Sequence, residues 1–324
     1  MKPSAWVTLE QIKEARSRIS AYIKRTPIIH SQTLSDLYHT NIFLKLEIFQ
    51  KTGSFKVRGA FNKMLTLSKE ERAHGVVAVS GGNHAQAVAH AARVLGMKAL
   101  ILMPESTAQS SVEATSNYGA QVVLTKSLAE AFERVGEYQK QGRILVHPFD
   151  DSLIVAGQGT IGLELLEDVP DLTHVLVSIG GGGLMSGVSV AIKTQVPEVR
   201  IWGVETEGAD CMSRALAAGQ VVTMPALTSI AKTLGAPSVS THTLEIAQNY
   251  LEGVEVVKDA EAVWALETLL ERVKVLTEPA ASCTLAAVEH LRFKPDDRVV
   301  LILCGGNISV ADICQYRKQF GSKP

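Results

Sequence analysis

No stretch of this chain approaches the roughly 18 uninterrupted apolar residues of a membrane-spanning helix, so a spanning segment is not expected. Neither sign of charge dominates: 32 Lys and Arg stand against 33 Asp and Glu, and no basic block occurs. Nucleic acid and anionic membrane surfaces are therefore not expected partners. Cysteine is scarce, and Cys211, Cys283, Cys304 and Cys314 make no CxxC pair, which removes a zinc site of that type. The four read as reduced, mostly buried thiols of a cytosolic protein. GxxxxGK[ST] and HExxH are both missing, and the nine histidines show no metal-ligand spacing. There is no repeat, no low-complexity segment and no linker of distinct composition. The start, Met1-Lys2-Pro3-Ser4, leads into a polar helical pattern and not into an apolar signal core, so a cytoplasmic location is expected.

What is present is an ordinary globular balance, 46% hydrophobic and 20% charged residues in 324. That length suits one large or two medium α/β domains with a core that needs no staples. Short apolar runs at 42–46, 76–79, 99–103, 121–124, 144–146, 175–179, 201–204, 254–257 and 299–303 predict strands. Amphipathic runs at 8–23, 85–95, 111–118, 128–141, 160–167, 184–193, 212–218, 260–272 and 280–291 predict helices. Their alternation implies βαβ units and parallel sheets.

The segment Lys51-Thr52-Gly53-Ser54-Phe55-Lys56-Val57-Arg58-Gly59-Ala60 points toward chemistry. Lys56 follows an aromatic residue in a Gly/Ser turn. Inside a pocket its ammonium form is disfavoured, its pKa falls, and the free amine forms Schiff bases with aldehydes. By itself the pattern favours an exposed loop lysine. Gly180-Gly181-Gly182-Gly183 lies between the run 175–179 and the amphipathic run from Leu184. Glycines at such a turn leave backbone N–H groups open to an anion, and the next helix adds its positive end. A tight turn alone needs only one or two of them. Ser80-Gly81-Gly82-Asn83-His84 also joins a strand to a helix, where Ser80 or Asn83 suits an N-cap. Cys304-Gly305-Gly306-Asn307 follows the run 299–303, and Glu278 precedes a helix in Thr277-Glu278-Pro279-Ala280-Ala281, a place that the helix dipole favours for an acid. Gly157-Gln158-Gly159-Thr160-Ile161-Gly162 matches GxGxxG, but about twenty residues on the chain reads Gly182 where a dinucleotide site needs an acid.

As an ordered set, S-F-K-x-R-G-A at 54–60, S-G-G-N-H at 80–84, the tetraglycine and C-G-G-N at 304–307 resemble the fold-type II pyridoxal-phosphate enzymes, specifically the threonine/serine dehydratase and serine racemase group. The resemblance covers about 28–310. It implies an α/β fold of the tryptophan synthase β type, with two open, twisted, mostly parallel sheets and helices on both faces. A smaller domain, 49–147, would be inserted in a larger one, 1–48 plus 148–324, with pyridoxal 5′-phosphate in the cleft between them. Lys56 would then form the Schiff base, beside Phe55. Asn83 would bond the phenolic oxygen, Gly180, Gly181, Gly182, Gly183 and Leu184 would surround the phosphate, Glu278 would lie near the ring face and Cys304 opposite the ring nitrogen. The segment Ser80, Gly81, Gly82, Asn83 and His84 would hold a substrate carboxylate, with Phe149 near the pocket. Residues 157–161 resemble a helix start near the cleft. A homo-oligomer, dimer or tetramer, acting on a small amino-acid substrate is also implied.

Departures from the pattern refine the expected reaction. Some members of the group carry Cys where others carry Ser at position 304, and neither acid is strong enough to keep the ring nitrogen protonated. The weaker electron sink that results suits rapid loss of a β-leaving group. Racemases of the group have a second serine where this chain has Gly81, so elimination is expected over racemisation. Some members bind Mg²⁺ or Ca²⁺ at Glu205, the Ala209 carbonyl and an Asp. Here Cys211 takes the third place, with Asp210 one residue early, and a thiol is a poor ligand for hard cations. Ala231-Lys232-Thr233-Leu234-Gly235 replaces a common Ala-Asp-Gly run, which suits either an enlarged side-chain pocket or drift. The expected activity is conversion of L-threonine, L-serine or a related β-hydroxy amino acid to a 2-oxo acid and ammonia. Alternatives are a β-aryl-serine dehydratase, a racemase, a β-replacement synthase and a non-catalytic cofactor- or nucleotide-binding protein. The chain ends shortly after Cys314, so no regulatory extension is expected.

Overall fold

The apolar runs become strands, and the central ones are buried on both faces, as parallel sheets require. The computed structural model describes residues 6–322; the segment Met1-Lys2-Pro3-Ser4 lies outside them. Among the described residues the strands are β1 (Ile28–His30), β2 (Asn41–Leu46), β3 (Val76–Val79), β4 (Ala99–Pro104), β5 (Gln121–Thr125), β6 (Ile144–Leu145), β7 (His174–Ser178), β8 (Arg200–Thr206), β9 (Gly253–Val257) and β10 (Arg298–Leu303). They form a larger sheet in the order β1-β2-β10-β7-β8-β9 and a smaller one in the order β5-β4-β3-β6. β1 pairs antiparallel with β2. The other pairings are parallel, with Leu303 opposite Leu46 and Ser178 opposite Val204.

Alternate residues of the central strands feed two cores. Val175, Val177, Val300 and Ile302 pack on one side of the larger sheet, Leu176, Val299, Leu301 and Leu303 on the other. The smaller sheet divides likewise, Val76 and Ala78 against Val77 and Val79. The fold is therefore α/β with two mostly parallel sheets, as expected.

The helices Gln32–Tyr38, Lys69–His74, Thr241–Tyr250 and Val310–Phe320 were not expected from the sequence, and two further differences bear on the site. Lys56–Leu65 is helical, so Lys56 stands at a helix start and not in a turn. The helix expected at 160–167 spans Ser152–Asp168, with Asp151 accepting from the N–H groups of Leu153 and Ile154. Gly157 and Gly159 lie inside it because neighbouring backbones press close. A Cβ at Gly157 would sit 2.7 Å from the Arg58 carbonyl oxygen, and one at Gly187, on the helix Gly183–Lys193, would sit 2.3 Å from the Val155 oxygen. One helix thus registers both the Lys56 helix and the helix that follows the tetraglycine loop.

A buried charge network locks the same junction. The Arg58 guanidinium, fully buried, donates to Glu47 (2.8 and 2.9 Å), to Glu164 (2.7 and 3.0 Å) and to Thr160 Oγ1 (3.0 Å). Lys45 Nζ pairs with Glu164 and donates to the Thr26 carbonyl at 2.8 Å. Two cations meet two carboxylates, so no net charge is buried, the condition under which such a network is tolerated.

Candidate active site

The C-terminal ends of β3, β7 and β10 open toward a cleft, the usual place for a site in open α/β sheets. Phe55, Lys56, Asn83, Phe149, Gly180, Gly181, Gly182, Gly183, Leu184, Glu278 and Cys304 line it together. Segments up to 249 residues apart in sequence, from Phe55 to Cys304, thus meet at one place. Thr233 and Leu234, from the departing 231–235 segment, also line it, as does Ala280 beside Glu278; Ser178 lines it too and was missed, because nothing in its own neighbourhood marks it. Ser80, Gly81, Gly82 and His84 do not line it. His84 is a buried core histidine: its Nε2 donates to the Val146 carbonyl (2.8 Å), and burial pushes its pKa down to about 3. Ser80 Oγ accepts from the Gly82 N–H (3.1 Å), a local turn contact.

The Lys56 side chain is half-buried, and protein surrounds its amine. Nζ donates to the Pro148 carbonyl at 3.0 Å and lies 5.1 Å from the Phe55 ring centre. Burial lowers its pKa from 10.5 to about 8, against the pull of Cys304 and Glu278. The amine is therefore free in a usable fraction near neutrality.

The glycine loop admits no side chains. A Cβ at Gly181 would fall 2.1 Å from the Phe149 ring, and Gly182 has φ +93° with Thr243 Cβ 2.7 Å from where its own Cβ would be. Gly183 opens the helix Gly183–Lys193, whose N-terminal N–H groups face the cleft end. This cradle, made of backbone donors and a helix dipole, fits a phosphate group.

Across the cleft Asn83 Nδ2 donates to Glu278 Oε1 at 2.6 Å, and Asn83 Oδ1 accepts from Asn307 Nδ2 at 2.7 Å. Asn307 also donates to the Thr52 carbonyl (2.8 Å), tying this wall to the Lys56 segment. Burial raises Glu278 to about 7, while Asn83 and Thr233, hydrogen-bonded to it, oppose the rise. Cys304 is pushed up to about 12 by burial, so it is a neutral thiol; Ser178 Oγ donates to its sulfur at 3.4 Å. An aldehyde-reactive amine and a phosphate cradle are what pyridoxal phosphate needs around it, a neutral thiol beside them is compatible with its ring, and the residues fit.

Glu205 and Ala209 are not among these lining residues, though Cys211 Sγ donates to the Gly180 carbonyl at 3.5 Å. Glu205 Oε1 and Oε2 accept from the N–H groups of Met212 and Ser213, both at 2.8 Å, so this carboxyl caps the helix Cys211–Ala218. Asp210 accepts from Arg214 Nε (2.9 Å), and burial holds the Cys211 thiol up at about 12. Among the described residues no group of three His, Cys, Asp or Glu is placed to hold a metal ion.

The family model for pyridoxal-phosphate dependent enzymes matches residues 19–305. The chain belongs to that family. This pyridoxal-phosphate enzyme is 43% identical to an L-threonine ammonia-lyase of Thermotoga maritima, over 94% of the chain and 76% of that protein. It is 37% identical to a serine racemase of Dictyostelium discoideum, over 97% of the chain and 98% of that protein. The structure of maize serine racemase superposes with a TM-score of 0.90 at 35% identity, covering 97% of each chain. The fold is thus that of the fold-type II group. No helix among the described residues is long and apolar enough to cross a membrane.

Proposed function

We propose that this enzyme is an ammonia-lyase that converts L-threonine and L-serine to 2-oxo acids and ammonia. The observation that carries the reading is the Lys56 amine, held in the cleft at a pKa of about 8 beside the glycine loop. Bound pyridoxal phosphate supplies an electron sink for the α-carbon. Lys56 Nζ holds the cofactor aldehyde and, as a free amine, takes the α-proton, a role for which a pKa near 8 is suited. The backbone of 180–183 and Leu184 hold the phosphate, and Phe55 flanks the ring. Asn83 Nδ2 spends one N–H on Glu278 and keeps a second for the phenolic oxygen. Glu278 positions that amide. Cys304, a neutral thiol in the cleft, would lie on the ring-nitrogen side of the bound cofactor and would not protonate it. We place the substrate carboxylate at the start of the helix Asn83–Val94, where Asn83 lines the cleft with Phe149 and residues 80–82 lie at its edge.

The threonine ammonia-lyase relative supports elimination, and the serine racemase relatives support a second reading, racemisation. Gly81 carries no acid or base of its own, which favours the first. Thr233 and Leu234 bring the unusual 231–235 segment to the cleft wall, which keeps β-aryl serines in view as substrates. We also infer a small domain, 49–147, inserted between 1–48 and 148–324, a homo-oligomer and a cytoplasmic location. Confinement of the smaller sheet to residues 76–145 supports the division. The test is 2-oxo acid release from L-threonine, L-serine and L-threo-phenylserine on one preparation. Threonine or serine is expected to give the highest kcat/KM; preference for phenylserine would reassign the substrate class, and no release from any would overturn elimination.

A further inference from the structure

Gly81 removes a side chain from the 80–84 loop, and the structure shows what stands in its place. A Cβ built at Gly81 would lie 2.5 Å from Thr107 Oγ1 and 3.2 Å from Thr107 Cγ2. Thr107 belongs to the turn after β4, where its N–H donates to the Pro104 carbonyl at 2.9 Å. It is half-buried, and among the described residues no protein group hydrogen-bonds its hydroxyl. The loop itself borders the cleft. Asn83 lines it, and a Cβ at Gly82 would touch Cγ2 of the cleft residue Thr233 at 3.2 Å. A serine at 81 and the threonine at 107 would compete for the same space, so the chain has room for one hydroxyl there and takes it from position 107.

We propose that Thr107, from the turn after β4, places a hydroxyl in the space that a side chain at position 81 would fill, and that it donates to the carboxylate of the substrate held by the 80–83 loop, not acting as a base at the α-carbon. Thr107 is then a specificity-determining residue for the ammonia-lyase reaction, and the inference rests on that reading. A hydroxyl with no protein partner, facing a loop at the cleft edge, is free to meet a charged or hydroxylated ligand.

The test uses the cofactor-loaded enzyme and L-serine, with two readouts: 2-oxo acid release, and L-serine binding followed by the change in visible absorbance of the bound cofactor. Thr107→Val keeps the shape and loses the hydroxyl; kcat/KM and L-serine affinity are expected to fall about tenfold, the scale of one hydrogen bond to a charged group. Thr107→Ser is expected to recover most of the loss. Gly81→Ser with Thr107→Ala moves the hydroxyl across the contact and is expected to bind L-serine more tightly than Thr107→Ala alone. Melting temperatures report folding of each variant. Wild-type affinity in a folded Thr107→Val variant overturns the inference, as does a double variant no better than Thr107→Ala. A wild type that binds L-serine but releases no 2-oxo acid refutes elimination alone, and the binding constants still decide the role of Thr107.

Discussion

Replacing Lys56 by methionine is expected to abolish turnover and, in the cofactor-free protein at neutral pH, to raise stability. Burial drives the amine's pKa from 10.5 to about 8. At about 1.36 kcal/mol per power of ten, that is about 3 kcal/mol of folded-state penalty on the ammonium. Water in the cleft screens part of this, and the lost bond to the Pro148 carbonyl offsets a little more, which leaves a gain of about 1–2 kcal/mol. Methionine retains an unbranched apolar stem. The pH dependence identifies the cause. Below about pH 8 the amine is protonated both folded and unfolded, and the penalty is present in full. Between about 8 and 10.5 the folded amine is neutral while the unfolded one still carries its proton, so the wild type regains stability as pH rises. The gap between variant and wild type should therefore be widest below pH 8 and close toward 10.5. Urea midpoints of both apoproteins across that range measure it, beside 2-oxo acid release by the loaded forms. A variant no more stable than wild type at pH 7, or a gap that ignores pH, refutes the burial argument. Turnover close to wild type refutes the role of Lys56.

Arg58→Met should destabilise the protein by about 3–5 kcal/mol in urea unfolding, because Glu47 and Glu164 stay buried without their main partner; a loss under about 1 kcal/mol would show that the carboxylates re-pair or protonate. EDTA should leave activity and melting temperature nearly unchanged, since both Glu205 oxygens already accept from backbone N–H groups. A large loss restored by Mg²⁺ or Ca²⁺ would prove that wrong. Glu205→Gln should itself lower stability by about 1–3 kcal/mol, because an amide leaves one of the two N–H groups without an acceptor.

Much of the site was legible because each part carries its signal within a few residues. Lys56, Asn83, Gly180-Gly181-Gly182-Gly183 and Cys304 each sit at a strand or helix end with glycines beside them, and all four parts line the cleft. The central strands were legible too, since burial on both faces leaves unbroken apolar runs such as Val76–Val79. The helix Lys56–Leu65 was not. It is buried almost all round, and Arg58, Gly59 and Asn62 on its inner side break the apolar period that marks a helix. Strand β1, three residues long, was too short to stand out. The start of the helix Ser152–Asp168 was hidden by Gly157 and Gly159, which read as breakers but serve close packing.

The sequence by itself determined the class of fold, because strand periodicity and glycine turns are local properties of the chain, and it implied the chemistry through the resemblance of its ordered motifs to a known family. Only the tertiary structure decided which groups share a space. Glu278 and Asn83, 195 residues apart, meet at 2.6 Å. Arg58 finds Glu164 across 106 residues, Glu205 turns to cap a helix, and Thr107 comes to rest against Gly81. Such partners are set by packing between distant segments, and a hydroxyl or carboxyl carries no mark in the sequence of the group that it will face.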